Sequence, residues 1–379
     1  MTTTPIEAVR LPDPYPFYAR LVAERPFAHD GALGAWVAAD AAAVRSVLGS
    51  GALRVRPPAE PVPAGIAGTA AGEVFGDLVR MTDGEPQRRL KAVVAQALGR
   101  ADTERAGRLA AAFTREALAG GGRIPYEELM FGVPARVVAA LSGLTDGADA
   151  EAARAIGDFV QCIPASATPA QQQAAASAAA RLRELLRPGI EAGGTGPGLL
   201  AELVRAADGA SWTQRAPLVS NAVGFLSQTY DATAGLLGNT LVALARGAAA
   251  VPRDARAAGA LVREVVRYDA PVQNTRRFAA EPYRYGDAKV EPGEQVLVVL
   301  AAANRDPAVN RDPQVLDPGR VNPAVFTFGA AAHRCPGENL AAALAAAVLM
   351  TLLAAGWAPA DLPADPAYRP LANARIPLL

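Results

Sequence analysis

Apolar residues recur at helical spacing through most of this chain and alternate with the period of a strand in only a few short stretches. Asp13-Pro14-Tyr15 reads as a turn feeding a short amphipathic helix, Ala35-Trp36-Val37-Ala38 as a strand, and 41–48 as a second helix. From 54 to 80 prolines and glycines accumulate (Pro57, Pro58, Pro61, Pro63, Gly65, Gly68, Gly72) and predict a long irregular loop. Loops of that length in compact domains usually carry function. Helical patterns follow over 85–98, 101–120, 126–142, 148–160 and 170–186, then a glycine-rich flexible connector at 189–198 and a long helix over 218–245. Strand signals concentrate late, in Arg277-Phe278-Ala279, Tyr283-Arg284-Tyr285 and 295–300, with turns at Gly286-Asp287 and Pro292-Gly293. The last helix is the alanine and leucine run from Glu338 to Leu353.

No internal repeat and no clean linker interrupts this order, so the expectation is a single large domain over 1–379, mainly α with a small β region. Lys+Arg and Asp+Glu each number 37, and a formal charge of zero argues against a nucleic-acid or anionic-membrane footprint. The start, Met1-Thr2-Thr3-Thr4-Pro5, has neither a basic nor an apolar leader region, which leads us to expect a cytoplasmic protein. In 218–245 the only charge is Asp231, yet Ser220, Asn221, Ser227, Gln228, Thr229, Asn239 and Thr240 make it more polar than a membrane span. Cys162 and Cys335 are far apart and without metal-type spacing, so a disulfide framework is not expected and at least one thiol is free to act as a ligand.

That thiol is best placed at Cys335, in Phe328-Gly329-Ala330-Ala331-Ala332-His333-Arg334-Cys335-Pro336-Gly337, where a loop of small residues turns into the final apolar helix. Free N–H groups at a helix start, the helix dipole, His333 and Arg334 all favour a thiolate there, as nucleophile or as metal ligand. The bland alternative is a buried structural cysteine, which an isolated Cys-Pro-Gly would favour. Upstream, Glu264 and Arg267 lie three residues apart on one helical face among Leu261, Val262, Val265 and Val266, a setting for a partly buried ion pair. Arg320 is a candidate third member.

Taken together, Phe328, Gly329, His333, Cys335 and Gly337 at these spacings resemble the haem-binding loop of the cytochrome P450 family, the haem-thiolate monooxygenases. Glu264-x-x-Arg267 with Arg320 resembles that family's structural ion cluster, and Asn304-Arg305-Asp306-Pro307 follows in the expected order. The resemblance runs from Asp13-Pro14-Tyr15 to Pro370-Leu371-Ala372-Asn373-Ala374 and implies the P450 fold, haem b as cofactor and Cys335 as its iron ligand. It also implies that Arg277 and His333 bind haem propionates, as a fork of donors suits a carboxylate. Where the family usually has a His-x-x-x-Arg pair, this chain has Gln87 and Lys91, which keep donors but lose the bidentate clamp. Ala331 stands where a glycine is usual, so a positive φ there would strain the loop.

On the oxygen side the resemblance places Asp231 as the family's acid and Ala232 where an alcohol is usual. In the family that alcohol helps protons reach the oxygen opposite the thiolate, which itself donates electron density to the iron. Water or a substrate hydroxyl could replace it in hydroxylation or epoxidation, or Thr229 or Thr233 could supply it, although one residue's shift turns a side chain by about 100°. A third alternative needs no efficient oxygen insertion and couples two radicals through a C–C, C–O or C–N bond. Gln228, Leu226, Val272, Gln273, Asn274 and Ala372 are expected to line a pocket for a small polar molecule, peptide-like or polyketide, of secondary metabolism. The loop at 57–72 and the segment 163–169 are expected lids. The family implies electrons from a ferredoxin and ferredoxin reductase, with Arg88, Arg89, Arg100 and Arg334 as the expected docking patch. A non-catalytic haem sensor would keep Cys335 but could dispense with Asp231, and a peroxide-driven enzyme would usually bring an arginine within 228–238, which contains none.

Overall fold

A computed structural model describes residues 3–164 and 166–379, so Ala165, inside the second expected lid, lies outside the described residues. The chain divides into two compact units. One holds the residues up to Pro58, Ala234–Cys335 and Leu349–Leu379, and the other holds Ala59–Thr233 and Pro336–Val348.

The first unit is built on strands β1 (Phe27–Asp30), β2 (Ala35–Ala38), β3 (Leu53–Arg54), β4 (Thr275–Ala279), β5 (Tyr283–Tyr285), β6 (Ala288–Val290) and β7 (Gln295–Val298). Five of them form one sheet in the order β1-β2-β7-β4-β3, and β5 with β6 makes a hairpin. The β2–β7 pair is parallel, with Trp36 opposite Val296, Val37 opposite Leu297 and Ala38 opposite Val298. This register puts Ala38, Val296 and Val298 on one face, packed with Val44, Val47 and Leu300, and Val37, Leu297 and Val299 on the other, packed with Tyr15 and Tyr18. Covering both faces is why 296–300 reads as an unbroken apolar run without alternation. Leu300 is nevertheless not in the strand, because a short helix, Leu300–Asn304, begins there.

The second unit is helical. Gly84–Gly99, Thr103–Leu118, Ala148–Val160 and Pro169–Glu191 match the apolar periodicity, a further helix, Leu199–Gly209, was not read from the sequence, and two expected irregular stretches differ. The expected irregular loop at 54–80 contains a helix, Ala70–Asp77, whose cap Thr69 accepts from the Gly72 amide at 3.2 Å. Gly72 is there for space rather than to break structure, because a Cβ on it would lie 2.2 Å from the Ile66 carbonyl oxygen. The expected connector at 189–198 begins later, since the Pro169–Glu191 helix continues through Pro188. In the 126–142 stretch a five-residue π-turn, Glu128–Gly132, leads into the Val133–Leu141 helix.

The longest helix, Arg215–Ala245, contributes to both units. Its buried polar groups are largely satisfied: Ser220 donates to Asp77 Oδ2 at 2.9 Å, Asn221 to the Asp77 carbonyl at 2.9 Å, and Thr240 to the Leu236 carbonyl at 2.7 Å. That pattern explains a polar yet buried helix. Among the described residues no helix is long and apolar enough to cross a membrane.

Candidate functional site

In the first unit Cys335 is held by a relay of short bonds that begins on the Ala255–Tyr268 helix. There Arg267, fully buried, grips Glu264 through Nε at 3.1 Å and Nη2 at 2.6 Å, and Arg320 Nε reaches Glu264 Oε1 at 3.2 Å. The remaining guanidinium donors close on main-chain carbonyls: Arg267 on Pro313 and Val315, each at 2.9 Å, and Arg320 on Arg311 at 2.5 Å and Asp312 at 3.2 Å. An ion cluster with all of Arg267's donors and most of Arg320's used offsets its desolvation and locks the 311–320 segment onto the helix. Next, Thr327 Oγ1 donates to the Val266 carbonyl at 2.7 Å, and Asn304 both accepts from the Phe326 amide at 2.6 Å and donates to Thr327 Oγ1 at 2.7 Å. The loop therefore starts from a fixed base.

From that base the loop closes on itself. The Gly329 amide donates to Phe326 O at 2.7 Å, the Arg334 amide to Ala331 O at 3.1 Å, and the Cys335 amide to Phe328 O at 2.7 Å. Gly329 has φ +69°, and a Cβ on it would approach the His333 carbonyl oxygen to 3.3 Å. Ala331 has φ +51°, so alanine adopts the left-handed conformation that glycine usually supplies. His333 ends a 3-10 turn, Ala331–His333. The Glu338–Ala354 helix begins three residues beyond Cys335, with Gly337 O accepting from the Ala341 amide at 3.0 Å. Cys335 thus lies before the helix rather than in its first turn, its own N–H is spent inside the loop, and its thiol is partly exposed while Cys162 is buried. A partly exposed cysteine at the end of a turn is not core packing. Among the described residues no cluster of three or more His, Cys, Asp or Glu could hold a metal ion.

Arg277 is buried on β4 and donates to the Arg276 carbonyl at 2.8 Å. Two of the expected pocket segments meet in this unit. Val272 bridges Ala374, the Gln273 amide donates to Asn373 O at 2.8 Å, and Asn274 Nδ2 donates to Ala372 O at 2.8 Å. Gln273 is fully buried and gives its Nε2 to the Ala270 carbonyl at 2.7 Å. Both side-chain amides thus donate to main-chain carbonyls, while Gln273 Oε1 is buried without a hydrogen-bond partner.

In the second unit Gln87 is buried and Lys91 half-buried on the Gly84–Gly99 helix. On Arg215–Ala245, Leu226 is fully buried, Gln228 is exposed, and Asp231 and Ala232 are half-buried. Thr229 Oγ1 is already donated to the Phe225 carbonyl at 2.7 Å, whereas Thr233 Oγ1 is buried without a hydrogen-bond partner. Of the two alternative alcohols, Thr233 is the one with its hydrogen bond unmade. Of the expected docking arginines, Arg88 pairs with Glu85 at 2.7 Å, Arg100 with Glu202 at 3.4 Å, and Arg89 lies 5.9 Å over the Trp212 ring. A cavity of about 350 Å³ lined by Glu127, Glu128, Phe131, Arg136, Arg154 and Tyr230 contains none of the site residues named from the sequence.

Two features escaped the sequence reading. Arg375, a lone charge in the apolar C-terminal stretch, is fully buried and bonds Asp269 at 2.9 Å and the carbonyls of Val9, Leu11 and Pro12 at 2.7–2.9 Å, tying the N-terminal segment to the C-terminus. Arg80, at the end of the stretch read as loop, has its Nε buried without a hydrogen-bond partner, and burial lowers its pKa to about 10 against the opposing pull of Asp231 and Cys162. A single cation beside Leu78 and Val79 was the available signal for it.

The family model described as Cytochrome P450 matches residues 258–355, which include Glu264, Arg267, Arg320 and Cys335. A protein named cytochrome P450 107B1 from Saccharopolyspora erythraea is 30% identical over 231 residues, 59% of this chain and 55% of that protein. The 6-deoxyerythronolide B hydroxylase of the same organism is 36% identical over 158 residues, 40% of this chain and 39% of that one. The matched region spans about half the length of the first curated relatives. The solved structure of CalO2 is 26% identical with a TM-score of 0.82, covering 96% of this chain and 94% of that chain.

Proposed function

We propose, from the premise that this chain belongs to the cytochrome P450 family, that it is a haem-thiolate monooxygenase acting on a small polar natural product with electrons from a ferredoxin system. The observation that carries the reading is the presentation of Cys335: one thiol, fixed by the Phe328 bond and left at the loop's edge. The donor set fits haem b, with Cys335 for the iron and Arg277 and His333 for propionates. Bound there, haem would supply one-electron and dioxygen chemistry that no side chain can. The protein's part is to hold and to move protons. The Glu264 cluster and Asn304 keep Cys335 from shifting, and Asp231 is the group that passes protons inward on the long helix. Water or the substrate's own hydroxyl takes the place left by Ala232, and the Thr233 hydroxyl is a nearby candidate donor.

Relatives named 6-deoxyerythronolide B hydroxylase and biotin biosynthesis cytochrome P450 support a biosynthetic role. Ala232 favours a second reading, oxidative coupling of two substrate positions with loss of two hydrogens and no oxygen insertion. Turnover with a ferredoxin system under labelled dioxygen separates the two. Label in the product is expected for insertion, and a mass loss of two hydrogens without label assigns coupling. Asp231→Asn is expected to slow turnover by about 10²-fold, the range for removing a proton donor. The reduced, carbon-monoxide-bound protein is expected to show the red-shifted Soret band of a thiolate ligand, and Cys335→Ala to lose it. An unchanged spectrum in that variant, or failure to bind haem at all, removes the proposal, and haem without turnover would leave a sensor.

A further inference from the structure

We propose that the cleft between the Glu128–Gly132 turn and the Ala148–Val160 helix binds a small zwitterion of amino-acid or dipeptide size, its ammonium against Glu128 and its carboxylate against Arg154. The inference goes beyond the haem-thiolate reading and does not depend on it. Every residue it uses belongs to the helical unit. In the π-turn the Val133 amide donates to Glu128 O, a closure one residue longer than an α-helix makes and one that often marks a functional position. The turn leaves the Glu128 carboxyl group lying over Gly132, where a Cβ would overlap it. On the facing helix Ala150, Ala153 and Arg154 line the cleft, and Gly157 continues their face, since positions three, four and seven apart align. Gly157 gives the Tyr230 hydroxyl its room, because a Cβ there would come within 2.9 Å of it. Tyr230 leans on Phe131 with ring centroids 4.9 Å apart, and both rings line the same space of about 350 Å³.

The charges of the cleft fall into two kinds. Arg136 is already answered: it donates to Glu116 at 3.0 and 3.2 Å and to Asp149 at 3.2 Å, and its Cζ lies 4.1 Å from the centre of the Phe113 ring. Glu128 and Arg154 are not. Among the described residues neither makes a hydrogen bond and neither has an ion-pair partner within 4 Å, so a carboxylate and a guanidinium line one cleft without meeting. Both stay open to solvent, as a site that exchanges its ligand requires. The space between them is kept by small residues, Gly132 on one wall and Ala150 and Ala153 on the other. A molecule carrying both signs answers both groups at once, the planar fork of Arg154 taking its carboxylate. Glu127 puts a second carboxylate on the cleft beside Glu128, and the faces of Phe131 and Tyr230 suit an ammonium or an apolar side chain. The volume lies in the range of small-molecule pockets.

Calorimetric titration of the haem-loaded protein tests the assignment with four compounds that share a phenyl group. L-Phenylalanine and L-phenylalanylglycine are zwitterions with different charge separations, phenethylamine carries the ammonium alone, and 3-phenylpropionate carries the carboxylate alone. Wild type is expected to bind at least one zwitterion about ten-fold or more tighter than either single-charge compound, as for the loss of a charged hydrogen bond. Glu128→Gln is expected to bring that zwitterion down to the affinity of 3-phenylpropionate and to leave 3-phenylpropionate itself unchanged. Arg154→Gln is expected to bring it down to the affinity of phenethylamine, with part of the preference kept in Arg154→Lys. Both side chains are exposed, and thermal midpoints of the unliganded variants equal to wild type show that the fold is kept. Phenethylamine binding as tightly as the zwitterions makes the cleft a cation site, and 3-phenylpropionate doing so makes it an anion site; either overturns the proposal. Zwitterion binding that no variant weakens, including binding reported by a Soret shift at the haem, overturns it too, as does no binding of either zwitterion up to about 10 mM. The carbon-monoxide spectrum is recorded on the same samples. Loss of the thiolate band with the zwitterion preference intact would sink the haem-thiolate reading and not the cleft.

Discussion

Ala331 illustrates how one side chain can be at odds with its backbone. At φ +51° its Cβ crowds the neighbouring carbonyl, a conformation that costs an ordinary residue about 1–2 kcal/mol and glycine almost nothing. The closing bonds of the Cys335 loop hold it there. Glycine loses more chain entropy on folding, which returns part of the gain. Ala331→Gly is therefore expected to stabilise the protein by about 1 kcal/mol and to raise the midpoint of thermal unfolding by about 1–3 °C. A calorimetric scan in which the variant melts lower would show that the loop does not need the left-handed turn. Thr233 is the opposite case, a buried hydroxyl with its bond unmade, which costs about 1–3 kcal/mol and is the kind of expense that functional positions carry.

Among the elements, the Ala255–Tyr268 helix is the one on which the thiol depends. Its own surface carries the Glu264–Arg267 pair, and Val266 O anchors Thr327 at the foot of the loop. Glu264→Gln would leave Arg267 and Arg320 buried without their anion. The expected cost is about 3–5 kcal/mol, as for other broken buried pairs, read from denaturant unfolding. Limited proteolysis is expected to cut first within 311–320, the segment whose carbonyls those arginines hold. A variant as stable as wild type would mean that solvent reaches the cluster. The Ala70–Asp77 helix shows why composition misleads at this scale: Gly72 reads as a breaker, yet it is there because Ile66 leaves no room for a side chain. The strands Phe27–Asp30 and Ala288–Val290 were not legible either, being only four and three residues long and partly exposed.

For the molecule as a whole, the response to alkali follows from three buried phenols. Burial pushes Tyr15 and Tyr18 well above the ordinary tyrosine range, Asp269 adding to it, and Tyr368 up to about 12. Above a pH of about 10 the unfolded chain releases these protons while the folded chain keeps them. The unfolded state then binds fewer protons, so stability, whole below that pH, falls as pH rises. Each phenol contributes up to about 1.4 kcal/mol per pH unit in that window. The thermal midpoint is expected to drop steadily above pH 10, and Tyr368→Phe, whose hydroxyl has no partner, to drop less steeply. Equal slopes for the two proteins would count against a protonated buried Tyr368.

What the sequence determined by itself is the family resemblance, through residues whose order along the chain is their meaning: Phe328 to Gly337 in one loop, and Glu264 and Arg267 one helical turn apart. Local geometry follows local spacing, so helices with strong apolar periodicity were legible as well. Only the tertiary structure decided where donors are spent. Asn274 turns inward to the Ala372 carbonyl, Arg375 gathers the N-terminal segment, and Arg80 keeps its Nε buried without a partner. A side chain's polarity is written in the sequence, but whether its partners are protein atoms depends on segments far along the chain, 98 residues away for Asn274 and 366 for Arg375.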